Sequence, residues 1–173
     1  MPLSLYDATI PAFQQQLTAV AALLDKASAH CVESNTPENA LIHARLIEDM
    51  LPFNYQVKST VVHSLGAVQA LAKGVFSPDL TPSPETIQGL KERVTQAMRS
   101  LEALAPGDVN AFEGRDMRFE FRDFKLPFTA ENFLLSFSLP NFYFHAATAY
   151  DILRHNGVAI GKRDFTGPLR LKT

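Results

Sequence analysis

The chain has a single cysteine, Cys31, among 173 residues. No intrachain disulfide can form, and zinc sites built on several cysteines are excluded. Charge is sparse and balanced: Asp, Glu, Lys and Arg make up 20% of the chain and the net charge is −2. No basic block supplies the footprint that a nucleic-acid backbone requires. No apolar run approaches the ~20 residues that span a bilayer. The first basic residue is Lys26, so the charged start of a secretory signal is missing and a cytoplasmic protein is expected. A glycine-rich phosphate loop, an HExxH motif and a Ser-His-Asp signature are also lacking.

Apolar residues make up 46% of the sequence, ample for one core. The length fits one domain, residues 1–173, since domains commonly run roughly 100–200 residues. Tyr6, Ile10, Phe13, Leu17, Val20, Leu24, Ala27 and Cys31 recur at steps of three and four. That period predicts one long amphipathic helix with Cys31 as the last core position of its stripe. A loop and a short helix follow, and Pro52 opens a second helix, about Leu51 to Lys73, closed by Gly74. Its expected stripe is Tyr55, Val62, Leu65 and Gln69, widened by Val57, Val61 and Val68. Asp49 reads as a cap near the start of that helix. "SPDLTPSPE" is a proline-rich connection in which Ser83, Pro84 and Glu85 read as the start of a third helix. That helix carries Ile87, Leu90, Val94, Ala97, Leu101 and Leu104 on one face and stops at "APGD".

The run "MRFEFRDFKLPFT" changes period. Met117, Phe119 and Phe121 alternate with charged residues, which predicts a β-hairpin with a second strand over Phe124 to Phe128. An isolated hairpin is marginal, so it should pack on a helix. Thr129, with Glu131, caps a short helix to about Phe137; Leu139-Pro140 interrupts it, and Pro140 starts a final helix that Asn156-Gly157 stops. The tail from Val158 has no clear period. The expected fold class is therefore all-α, a four-helix bundle with a small hairpin before the last helix.

The segments "LSLYDATIPAF", "ARLIEDMLPFNYQV" and "LPNFYFHAATAYDILRHNGVAIGKRDF" together resemble a bacterial family of unknown function within the DinB/YfiT-like superfamily. The resemblance spans nearly the whole chain. It implies an up-down-down-up four-helix bundle, often dimeric. In better-known members of that superfamily three histidines hold a divalent metal, one on the second helix and two as His-x-x-x-His on the last, commonly followed by Arg-Gly-Gln. Thiol-dependent transferases and isomerases are among them. On this pattern His145 matches the second histidine of the last helix. Asn141 stands where the first should be, and Gln56 best matches the position on the second helix, with His63, about two turns on, the second choice. "AAT" replaces Arg-Gly-Gln.

Neutral amides bind zinc, nickel or iron poorly, so Gln56, Asn141 and His145 form a weak metal set and a capable hydrogen-bonding one. No cofactor is expected on that ground; the alternative is a divalent transition metal held through His145, with His63 second. Three readings of the trio stay open: a structural polar network or water site, a small-molecule pocket, and a metal site. The function expected is a small-molecule-binding or structural homodimer without the three-histidine metal. The alternative is a divergent metal- or thiol-dependent transferase or hydrolase using His145. The dimer follows from the last helix, which is apolar on nearly every side. His30 and His43 are expected to face solvent. His155 suits the helix dipole, and Asp151 is expected to pair with Arg154 or with the tail.

Overall fold

The structure is a computed structural model that describes residues 3–172. Its first element, α1 (Leu5–Glu33), is started by Ser4, whose hydroxyl accepts the Asp7 amide at 3.2 Å. Ile10, Phe13, Leu17, Val20, Leu24 and Ala27 are buried along it, as the period predicts. Cys31 is only partly buried and packs at the edge of the core. The short α2 (Glu38–Ile42) leads to α3 (Phe53–Val61), a π-helical segment (Val62–Gly66) and α4 (Ala67–Leu71), which together fill the span expected of the second helix. Pro52 precedes α3, and no side chain caps it, so Asp49 is not its cap.

The buried face of this helix differs from the expected stripe. Phe53, Val57, Thr60, Ser64, Val68 and Leu71 are buried, whereas Tyr55, Val62 and Leu65 are half-buried and Gln69 is exposed. Tyr55, Val62 and Leu65 line cavities, while Val62 and Leu65 also pack against the edge of the core. Farther on, α5 (Ile87–Glu102) buries Ile87, Leu90, Val94, Ala97 and Leu101. Its cap is Thr86, whose hydroxyl accepts the Gly89 amide at 3.0 Å, and not Ser83. The helices α1, α3, α5 and α8 (Leu139–His155) pack side by side around one hydrophobic core.

The all-α expectation is overturned. Strands β2 (Asp116–Phe121) and β3 (Phe124–Thr129) pair antiparallel, with Met117 opposite Phe128 and Phe119 opposite Leu126. A third strand, β1 (Val75–Phe76), joins them in parallel, with Phe76 opposite Phe119. The result is a three-stranded mixed sheet in the order β1-β2-β3 beside the helices. Gly74, at φ 65°, turns the chain out of α4 into β1, and its carbonyl accepts the Arg118 amide at 3.1 Å. Two residues are too few to show a period of two, which is why "VF" carries no strand signal. The hairpin does pack on a helix: Phe119 and Phe128 lie 5.1 and 5.8 Å from the Phe137 ring.

The chain before the last helix is not interrupted. After α6 (Pro106–Asn110) and the hairpin, α7 (Ala130–Asn132) runs into a second π-helical segment (Phe133–Ser138), which continues directly into α8. The wider π turn absorbs Pro140, which has no amide hydrogen to give. The tail is held by α9 (Lys162–Thr166): the Gln15 and Gln16 side chains donate to the Thr166 and Phe165 carbonyls, each at 2.9 Å. Asp164 pairs with Lys26 at 2.7 Å, and Asp151 makes no ion pair among the described residues.

The two π-helical segments touch. The Ser138 hydroxyl donates to the His63 carbonyl at 2.9 Å. This bond supplies a partner to a carbonyl within an irregular turn, and Ser138 is fully buried. Replacing Ser138 by Ala should therefore lower the unfolding free energy by about 1–3 kcal/mol, read by urea denaturation. A loss within error of zero would show that this contact does not hold the two helices in register.

Candidate functional site

Two helical stripes face each other across a cavity of about 230 Å3. On the second helix, Tyr55, Ser59 and His63 follow at intervals of four, with Lys58 and Val62 between them, so all five share one face. On the last helix and the π turn before it, Phe137, Asn141 and His145 repeat the same interval. Phe76, Pro78 and Asp79, from β1 and the connection after it, and Phe119 from β2 complete the wall.

His145 is held from one side. Its Nδ1 lies 2.7 Å from Gln56 Oε1, and the Gln56 side chain is 2% exposed in total. Gln56 Nε2 donates to the Leu51 carbonyl at 2.8 Å, which fixes the orientation of the amide. An amide oxygen only accepts, so His145 Nδ1 carries the proton and Nε2 is left as a bare acceptor. Burial lowers the His145 pKa to about 4, so the ring is neutral at physiological pH. The His63 ring stacks on it, with centroids 5.6 Å apart and planes inclined at 19°. Burial, and then the neighbouring His145, lower the His63 pKa to about 4 as well. His63 Nδ1 is buried without a hydrogen-bond partner among the described residues.

The expected trio is brought together in part. Gln56 meets His145 directly but is not on the cavity wall. Asn141 is on the wall; its Nδ2 donates to the Phe137 carbonyl at 2.7 Å, leaving its oxygen free to accept. His63, the second choice, stands on the wall against His145.

Lys58 and Asp79 were not recognised in the sequence. Lys58 is 2% exposed. Its ammonium donates to the Asp79 carbonyl at 2.8 Å and to that of Thr81, and lies 3.4 Å from the Asp79 carboxylate. Burial pushes the Asp79 carboxyl up, but hydrogen bonds from the Thr81 hydroxyl and amide, with Arg93 and Lys58, bring it down to about 2. The paired charges pin the proline-rich connection against α3. The available signal was that Lys58 is the one charged residue between Pro52 and Lys73.

Residues 5–166 match the model of a family described as a domain of unknown function, DUF1993. The chain belongs to that family. It is also similar to a solved structure, the crystal structure of a DinB family member protein from Shewanella denitrificans. The two are 29% identical, with a TM-score of 0.83 over 98% of this chain and 95% of that one. No curated protein matches the sequence.

The donors at this site do not fit the three-histidine metal that the superfamily resemblance implies. Gln56 spends its oxygen on His145 and its nitrogen on Leu51. Asn141 spends its donor on Phe137. Asp79 is committed to Lys58, Arg93 and Thr81. Two imidazoles remain, and no group of three histidine, cysteine or carboxylate side chains is placed to hold an ion among the described residues.

The two histidines set a pH dependence. A histidine whose folded pKa lies near 4 and whose ordinary value is 6.5 takes up its proton more readily when unfolded. Stability from this source is complete above about pH 6.5 and is lost as the pH falls toward 4. The expected loss at pH 4 is on the order of 2–3 kcal/mol for each ring. Urea denaturation across this range should show the fall, and the His63→Phe, His145→Phe double variant should lack most of it. An equal slope in that variant would place the titration elsewhere.

Proposed function

We propose that this protein is a cytoplasmic small-molecule-binding protein whose cavity takes a compact ligand with a flat apolar body and an N–H or O–H donor. The observation that carries this reading is the Gln56 clamp on His145, which leaves Nε2 as a neutral acceptor on a wall of Tyr55, Phe76, Phe119 and Phe137. Asn141 adds a second acceptor. A few placed polar groups in an apolar wall are the usual composition of a ligand pocket, and 230 Å3 lies below the range of drug-sized sites. A ligand of one or two fused rings suits that space. No tightly bound transition metal belongs to this proposal, because the donor set is two imidazoles and two committed amides.

Catalysis by His145 is the less favoured reading. A base of pKa about 4 is weak at neutral pH, and the one carboxylate on the wall, Asp79, is held ionised by its cations. Indole and N-methylindole test the binding proposal. Indole should perturb the His145 and His63 ring resonances saturably, and N-methylindole should bind at least about tenfold more weakly, as expected for loss of one buried hydrogen bond. Equal binding of the two, or unchanged indole binding by His145→Phe, would refute it.

The proposal includes a homodimer. The last helical stretch leaves Leu135, Tyr143 and Phe144 exposed at 42%, 39% and 55%, and burying such a face in a partner removes apolar surface from water. Light scattering should give a dimer at micromolar concentration and a monomer for Phe144→Glu. A monomeric parent would refute this part alone.

A further inference from the structure

A second and larger cavity, about 680 Å3, lies on the other side of Val62, Phe76 and Asp79, the residues it shares with the first. We propose that it is a separate binding site for an amphipathic anion, an apolar chain ending in a carboxylate. Its volume lies within the range of ligand sites, roughly 300–1,000 Å3. The floor is apolar, with Val61, Val62, Leu65 and Ala70 from the second helix and Ala97 from α5. The π turn Val62–Gly66 makes the room, and Gly66 leaves the floor without a side chain.

The charge on its wall has one sign in excess. Lys73 and Arg93 both line the cavity, and the single carboxylate, Asp79, is already paired with the buried Lys58. Two cations thus line the cavity beside one carboxylate, and that carboxylate is already shared with a third, buried cation, in a chain whose net charge is −2. Arg93 gives Nη2 to Asp79 at 2.6 Å, and its other donors have no partner among the described residues. Lys73 makes no ion pair among them. A carboxylate here would meet a guanidinium fixed in place by Asp79 and a free ammonium, with the apolar floor taking its chain.

Gly66 offers a way to close the site. It has helical dihedrals, φ −59° and ψ −40°. A Cβ added there would touch only the Val61 carbonyl, at 3.8 Å, so a longer side chain extends into open space.

Calorimetry with octanoate and 1-octanol reads the proposal. Octanoate should bind at one site, and 1-octanol at least about tenfold more weakly, as loss of a charge-assisted contact implies. Gly66→Leu should abolish octanoate binding, with Gly66→Ala as the control for folding. Lys73→Gln, on an exposed residue, should weaken it about tenfold, and it decides the matter if Gly66→Leu does not fold. His145→Phe should leave octanoate affinity unchanged. Equal affinity for the alcohol, no effect of Lys73→Gln, or loss of binding in His145→Phe would overturn the proposal. Failure here leaves the indole experiment on the smaller cavity unaffected, because the two sites are read with different probes, and Lys73→Gln and Gly66→Leu act only on the larger one.

Discussion

The hydrogen bond from His145 to Gln56 determines what the site can offer. Both side chains are drawn from helices that pack directly on each other, and the buried Gln56 amide must be satisfied there, which the half-buried His145 ring does. Because Leu51 takes the amide nitrogen, Gln56 has only its oxygen to give, and the proton on His145 goes to Nδ1 by elimination. The other ring nitrogen, the stacked His63 and the oxygen of Asn141 then form a neutral patch with acceptors to offer, beside the paired charges of Lys58 and Asp79. A metal would need those nitrogens to converge with a third strong ligand. The amides at the corresponding positions are occupied with holding the helices and the ring.

The site sits where both helices depart from α geometry. His63 belongs to one π turn, and Phe137 to the other, with Asn141 just beyond it. Such turns widen a helix and release backbone carbonyls from the regular ladder. Ser138 and Asn141 take up two of these, those of His63 and Phe137. The same departures leave space outside the core, which is where both cavities lie. The sheet then covers that space through Phe76 and Phe119, so the strand missing from the all-α expectation is part of the wall of the site.

Much of this was legible in the sequence, and the failures have physical causes. The long apolar periods placed α1, α5 and the last helix, and the alternation at Met117–Phe121 placed the hairpin. The spacing of Asn141 and His145 marked one face of the last helix, and the resemblance to the three-histidine superfamily pattern implied Gln56 and His63 opposite it. The stripe of the second helix was misjudged because its apolar residues occupy two faces, one in the core and one on the cavities. Thr86 and Ser83 are both sound caps, and only the packed structure chooses between them. Lys58 and Asp79 are twenty-one residues apart, one on the second helix and the other in the proline-rich connection, and no local pattern joins them. Pro140 reads as a break because nothing local shows that the preceding turn is wide enough to accept it.

The tautomer of His145 tests the account most directly. Long-range 15N–1H correlation spectra of the ring, at neutral pH and assigned with His145→Phe, distinguish a protonated from a bare nitrogen. The account predicts a neutral ring with the proton on Nδ1 and a bare Nε2. It also predicts that Gln56→Glu raises the pKa of this ring, since a carboxylate beside Nδ1 favours the charged form. A proton on Nε2, or an imidazolium at neutral pH in the parent protein, would contradict it.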